Sequence, residues 1–391
     1  MEKVMAVDKL WNRDFIFSCL SNLFVFITHY YLLSTLPLIV IDFFAGNREH
    51  VGYVFGIFSL AGVLIRPVGG FWLDTVDRKT VAWMSMACLF LSIAAYHWVA
   101  SLLLLFILRC IHGVCWGVST TALATLATDA IPLQQRGEGI GYYGLSMSIA
   151  MFIGPIAGLA VLHQFGYSTM FLTVAGCAGV GLLCLAALRK KAAYQSPTEK
   201  QKGLLETKVS SYGWVVFFLS LIYSGILSFI VLFAKEINIV NAGLYFFANA
   251  LTVVVSRPYA GKLLDREGPV RIMCIGFLTL FATFVCLYFA QDYLLFILSA
   301  LLLGVGFGII HSTSIALAIN QVEPSRRGVA NATILTAFDL GFGVGSIILG
   351  VLSNYVGLRI MYLLSGFMVS VPFGIFYLKH MAKNKGEEVV D

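Results

Sequence analysis

Charge is scarce in this chain. Only 12% of the 391 residues are Asp, Glu, Lys or Arg, against roughly a quarter in soluble domains. Hydrophobic residues make up 59% and the mean hydropathy is +0.88, which excludes an ordinary soluble fold. Short alternating strand segments are missing too, so the apolar stretches do not belong to a membrane barrel. There is no P-loop, which argues against ATP as an energy source. No sizeable hydrophilic segment could house a hydrolase site, so an enzyme is not expected. The eight cysteines contain no C-x-x-C and no disulfide spacing, and each is expected to be a small buried hydrophobe.

What is present is a succession of apolar runs of about twenty residues, long enough to span a bilayer as helices. Twelve spans are expected, at 15–41, 51–72, 80–99, 101–123, 139–163, 168–188, 211–233, 239–260, 270–290, 293–319, 328–350 and 357–378. The first run is too long and too aromatic for a signal peptide and lacks a small-residue cleavage site, so it is expected to remain as helix 1. An even number of spans puts both termini on one side. Twenty of the 26 Lys and Arg residues fall in the termini and even-numbered loops, and three (Arg48, Lys235 and Arg359) in the odd-numbered ones. The positive-inside bias therefore makes both termini cytoplasmic. It also accounts for the net charge of +6 through attraction to anionic lipid rather than nucleic acid. The hydrophilic stretch Arg189–Lys208 reads as a linker, dividing the chain into 1–188, 189–210 and 211–391.

The frame R-P-x-x-G-x-x-L-D occurs twice, as RPVGGFWLD from Arg66 and RPYAGKLLD from Arg257, 191 residues apart. The same offset relates Arg136 and Gly137 of DAIPLQQRGEG to Arg327 and Gly328 of NQVEPSRRGVA. A duplicated six-helix unit follows, of the kind found in secondary transporters with parallel repeats. Pro67 and Pro258 can kink their helices, and Gly70 and Gly261 would admit a close backbone. Asp74 and Asp265 can accept hydrogen bonds from a neighbouring helix start or pair with a base such as Arg78. Arg66, Gly70, Asp74 and Arg78, with Arg257, Gly261, Asp265 and Arg266, are thus candidates for a cytoplasmic gate. The plainer reading makes them topology-setting turns.

These motifs resemble the major facilitator superfamily along essentially the whole chain. GFWLDTVDRK, from Gly70 to Lys79, is similar to its loop 2–3 signature G-x-L-a-D-r-x-G-r-k, with Thr75 for the usual base and Asp77 for the usual glycine. GKLLDREGPVR is closer to that form. The resemblance implies an all-α integral membrane protein of twelve helices in two six-helix bundles, acting as a secondary transporter. GYYGLSMSIAMFIGPIAG resembles the antiporter signature of helix 5, carried by Gly141, Gly154, Pro155 and Gly158, and implies export. LRCIHGVCWG resembles the R-x-x-Q-G element of drug–proton antiporters, with His112 in place of the glutamine. Arg109 would then serve proton transfer, or alternatively pair with a lipid headgroup or helix end. RGEGIGYYGLS is similar to bacterial efflux permeases of the arabinose-efflux-like and drug-exporter branch.

A buried arginine in a span is a functional candidate, and it calls for an intramembrane acid. Asp339 in TAFDLGFGVG is the deepest carboxylate, either a coupling group whose proton affinity alternates with its surroundings or one bonded permanently to a polar neighbour. Glu138 is the next candidate. His29, His112 and His311 lie in spans, as satisfied hydrogen-bonding groups, titrating groups or contacts for an anionic or metal-chelating substrate. Asn22, Asn249 and Asn331 are further polar candidates. The expected protein is a monomeric, proton-coupled antiporter of the bacterial cytoplasmic membrane that exports small amphipathic or hydrophobic compounds and holds neither cofactor nor metal. The alternatives are a metabolite uptake symporter or facilitator, an exporter of a metal-chelating opine-like metabolite, and a non-transporting receptor or scaffold.

Overall fold

The computed structural model describes residues 10–132, 135–189, 206–323 and 327–387. The side chains of Arg136, Gly137, Asp265, Arg327, Gly328 and residues 381–387 lie outside the described set, as does most of the expected linker. The described chain is helical throughout: α1 (Arg13–Leu38, continued by a π turn Ile39–Phe43), α2 (Arg48–Thr75), α3 (Arg78–Ala94, then a 3₁₀ turn Ala95–Trp98), α4 (Leu102–Ala130), α5 (Arg136–Ala186), α6 (Ser210–Glu236), α7 (Gly243–Glu267), α8 (Pro269–Phe289), α9 (Tyr293–Ile319), α10 (Arg327–Met368) and α11 (Ser370–Glu387). Among the described residues nine helical stretches are long and apolar enough to cross a membrane. Two of them, Glu138–Ala186 and Val329–His380, run to 49 and 52 residues, at about 1.5 Å per residue far more than the ~30 Å one crossing needs. Each is broken by a glycine outside helical geometry, Gly166 and Gly357, at φ 77° and 81°. The helix α7 is not among the nine, its apolar run being interrupted by Asn249 and Arg257 and followed by Lys262, Arg266 and Glu267. Large apolar side chains such as Leu64, Leu103, Leu183 and Leu278 are exposed in number, and exposed Trp11, Trp83, Trp98 and Trp214 sit near helix ends, as bilayer interfaces favour. Two cysteines depart from expectation: Cys88 and Cys110 are exposed. In a lipid solvent an apolar thiol gains nothing by facing inward, so burial is not required of it.

By packing, the chain divides into two units, Met1–Leu32 with Leu64–Glu199, and Leu33–Val63 with Lys200–Asp391. In the first, side chains finish helix ends that the bilayer would leave unsatisfied. Asn12 accepts from Phe15 N (2.9 Å) at the start of α1 and donates to Ala130 O (2.7 Å) at the end of α4. Asp77, the residue in the place of a signature glycine, caps α3 by accepting from Thr80 N (2.8 Å). Its repeat equivalent, Gly268, instead turns the chain at φ 78°, with Pro269 opening α8. One turn is therefore built in two ways. Lys79 donates to Leu188 O at the end of α5, and Asp14 accepts from Arg189 N (3.0 Å). Gly154 brings α5 onto α1: a Cβ there would lie 2.8 Å from Tyr30 Cβ and 3.0 Å from Tyr31 N.

In the second unit small residues let backbones meet, the usual solution where lipid removes the hydrophobic drive. Ser220 and Ser224 of α6 lie against Gly341 and Gly345 of α10, and Ser228 Oγ is 3.3 Å from Ser346 Oγ. Gly304 and Gly308 of α9 lie against Asn249, Thr252 and Ser256 of α7, while Gly306 meets α8 at Gly276. Residues 33–63 join this unit through Gly52 and Gly56 against Ser346, Ile347 and Gly350. The ion pairs Arg48–Glu236 and Lys235–Asp42 (2.6 Å for the latter) add to that contact, as does the Arg48 Nη1 bond to Ser353 O (3.0 Å).

A Cβ at Gly345 would stand 2.5 Å from Ser224 Oγ, whereas Gly141 has nothing within 4 Å. Gly345→Val is therefore expected to cost about 1–3 kcal/mol through overpacking and to lower the melting temperature of the detergent-purified protein, with Gly141→Ala neutral. Equal melting of the two variants would contradict the ladder.

Candidate functional site

In the first unit α4 presents Arg109, His112 and Trp116 at helical spacing on one face. All three are buried, Arg109 to 2% exposure. Arginine stays protonated in proteins, so this is a fixed positive charge in an apolar surround. The 3₁₀ turn after α3 supplies its partner. The hydroxyl of the fully buried Tyr96 takes a hydrogen bond from Arg109 and shares another with His112 Nδ1 (3.1 Å). The Tyr96 ring is held by stacking on Phe171 (centroids 5.8 Å, 9°). From α1, His29 stacks on the Trp116 indole (4.6 Å, 26°), with Phe26 edge-on to the same ring (5.0 Å, 70°). Arg109 lies close enough to act electrostatically on both His29 and His112. At low dielectric its charge is strongly linked to any charge change on those imidazoles or on a bound molecule.

The second unit has its own aromatic cluster. Phe307 is sandwiched between Tyr223 (4.2 Å, 15°) and His311 (5.2 Å, 14°), and Phe338 stands edge-on to His311 (5.4 Å, 73°). The buried Asn249 donates to the Tyr223 hydroxyl (3.2 Å). Arg257, half-buried, acts electrostatically on both Tyr223 and His311. Trp116 and Phe307 are separated by the 191-residue repeat offset, so in each unit a histidine stacks on the ring at the same repeat position. Asp339 follows Phe338 on α10, half-buried, and its carbonyl accepts from Ser59 Oγ (2.6 Å).

Other expected residues are placed as follows. The Asn22 amide is engaged on both sides, donating to Ser146 Oγ (2.7 Å) and accepting from the Tyr143 hydroxyl (2.9 Å). That is a bolt between α1 and α5. Glu138 is exposed in the first turn of α5, and Asn331 is half-buried on α10. Arg78 pairs with Asp129 (2.7 Å) rather than Asp74, because the first turn of α3 sits over the end of α4 while Asp74 is exposed on the last turn of α2. Gly70 and Gly261 correct an expectation, since a Cβ on either would meet no other element within 4 Å. In the first copy the close approach falls one residue earlier, where a Cβ on Gly69 would lie 3.3 Å from Val118 Cγ2, and a helix turns the next residue away by about 100°. Arg66 is half-buried with Nη1 3.5 Å from Thr121 Oγ1, and Arg266 is exposed. The side chain of Asp265 lies outside the described residues. Of the antiporter positions, Gly154, Pro155 and Gly158 are buried and Gly141 is exposed. Among the described residues no three His, Cys, Asp or Glu side chains gather as a metal site. Sequence reasoning missed Tyr96, Trp116, Tyr223 and Phe307. Trp116 was within reach of it, seven residues after Arg109 on the same helix face and paired by the repeat with Phe307.

The sequence profile of the Major Facilitator Superfamily matches residues 18–240 and 213–388. The chain belongs to that superfamily. Its relatives within the superfamily include the staphylopine export protein of Staphylococcus aureus (strain Mu50 / ATCC 700699), 23% identical over 84% of this chain and 87% of that one. The multi-drug resistance efflux pump PmrA homolog of Lactococcus lactis subsp. lactis is 24% identical over 89% and 90%. Among solved structures, a mutant of the nucleoside transporter NupG superposes with a TM-score of 0.80 at 14% identity, covering 94% of this chain and 99% of that one. At that identity the likeness is one of fold. As a superfamily member the protein is a multi-span membrane transporter for small molecules and not an enzyme.

Tyr96→Phe keeps the ring and its stacking but removes the hydroxyl that Arg109 and His112 share. It is expected to leave folding intact and to cut substrate flux about tenfold or more, as loss of a charge-assisted hydrogen bond does. Wild-type flux in this variant would remove Tyr96 from the site.

Proposed function

We propose that this chain is a proton-coupled antiporter that exports small amphipathic or hydrophobic organic compounds by alternating access. The reading rests chiefly on one observation: a fully buried, permanently charged Arg109 bonded to Tyr96 and set beside the titratable rings of His112 and His29. An imidazole can exchange a proton, and a buried charge beside it links any such exchange to the charge of a bound molecule. Asp339 is the carboxylate assigned to load and release the proton, with Glu138, exposed at the start of α5, in a lesser role. Arg66, Asp74 and Arg78, with Asp265 and Arg266 of the second copy, are assigned to the cytoplasmic gate, where the Arg78–Asp129 pair is the contact to be broken. Export is supported by the efflux and export proteins among the relatives and by the packed Gly154 and buried Pro155 of α5.

On this reading the chain crosses the bilayer twelve times as two six-helix bundles, with α5 making two passes across Gly166, and α10 with α11 making two across Gly357. It is a monomer in the bacterial cytoplasmic membrane with both termini inside. A second reading, export of an anionic, metal-chelating, opine-like metabolite, draws support from the similarity to the staphylopine export protein along 84% of the chain.

The test is proton movement in proteoliposomes loaded with a pH-sensitive dye, with lipophilic cations, neutral drugs and chelators (metal-free and metal-loaded) as candidate substrates. A response in wild type that vanishes in a folded Asp339→Asn variant is expected. Undiminished proton movement in that variant would sink the role of Asp339, and silence of wild type with every compound would sink proton-coupled export.

A further inference from the structure

The aromatic cluster of the second unit carries a charge that nothing in the coupling scheme uses. Arg257 belongs to the repeated R-P-x-x-G frame, yet the helix α7 runs on past it for ten residues, so it lies within a helix rather than in a loop. Its guanidinium is half-buried, and its Nε is buried with no hydrogen-bond partner among the described residues. A guanidinium N–H withdrawn from water without an acceptor is costly, and the cost is removed by an anion. Gly308 of α9 packs on Ser256, the neighbour of Arg257. One turn beyond it, within electrostatic reach of Arg257, is His311, half-buried at one end of a stack of three near-parallel rings: Tyr223, Phe307 and the imidazole itself. Phe338 walls the stack edge-on, and Asn249 fixes the far end through the Tyr223 hydroxyl. A stack that ends on a half-buried ring next to an arginine offers a face for one more planar group and a fork for a carboxylate.

We propose that Arg257 and His311, set against the Tyr223–Phe307 stack, bind an organic carboxylate carried on a planar ring. Arg257 donates to the carboxylate oxygens, and the His311 imidazole takes the ring on the face away from Phe307. The proposal deepens the transport reading by naming a substrate class, and it rests on that reading for its place in export. The site itself rests on the geometry alone.

Binding of 2-naphthoate and its uncharged analogue 2-naphthamide to the full-length protein in detergent, measured by calorimetry, tests it. Wild type is expected to prefer naphthoate over naphthamide about tenfold or more. Arg257→Gln is expected to abolish the preference without weakening naphthamide, and Arg257→Lys to restore only part of it, since lysine lacks the fork. His311→Ala is expected to weaken both compounds, a readout that stands even where the arginine variants melt early. Absence of a carboxylate preference in wild type, or unchanged naphthoate affinity in folded Arg257→Gln, overturns the proposal. Because no gradient is present, naphthoate binding without dye-detected proton movement would keep the site and remove only the coupling reading.

Discussion

A guanidinium that cannot lose its proton, buried in a membrane helix, is the constraint around which the first unit is built. Left alone, Arg109 would be among the most costly residues in the chain. Its cost is met by a tyrosine brought in on a short 3₁₀ turn, and the same hydroxyl reaches His112 (3.1 Å). Once Tyr96 is so used, its ring must be fixed, and Phe171 of α5 does this by stacking. Trp116, two turns along the same face, sets His29 of α1. Four elements, α1, the turn after α3, α4 and α5, are thereby tied to one charge. A group so enclosed responds to charge changes nearby far more than one in water would.

The second unit solves a different part of the same problem. Lipid offers no hydrophobic reward for helix association, so contact area and interhelical polar pairs must supply it. Ser220, Ser224 and Ser228 of α6 against Gly341, Gly345 and Ser346 of α10, and Gly304 and Gly308 of α9 against α7, bring backbones together at small residues. The second of these ladders also serves the site. Gly304 admits Asn249 and Thr252, and Asn249 in turn anchors Tyr223 and the rings stacked on it. Fold and site share residues here, which is why a glycine with no polar atom of its own in the site still bears on it.

Much of this was legible in the sequence because the relevant signals are local. Apolar run length marks helices, and the R-P-x-x-G-x-x-L-D repeat marks the duplication. A lone arginine such as Arg109 marks a buried polar site. What was not legible depends on helix rotation and on neighbours distant in sequence. Gly70 and Gly261 read as packing glycines, but the contact falls to Gly69, because which face meets a neighbour is settled by tertiary packing. Asn22 read as one of three polar candidates, and its bonds to Ser146 and Tyr143 of α5, more than a hundred residues away, carry no local signal. Asp77 read as a departure from a signature, and is the cap of α3. Tyr96 carries no periodic signal at all, since it lies outside the α-helices. Repeat symmetry was the underused clue: applied to Trp116 it leads directly to Phe307.

The central claim is that the charge of Arg109 links substrate movement to proton movement. Arg109→Met keeps much of the side-chain volume and removes the charge, and since its partner is the neutral Tyr96 hydroxyl no unpaired charge stays buried behind it. The decisive measurement follows tracer substrate and internal pH together in proteoliposomes holding this variant. The account predicts that substrate still moves down its gradient while the accompanying proton counterflow disappears. Proton counterflow per substrate equal to that of wild type would contradict it.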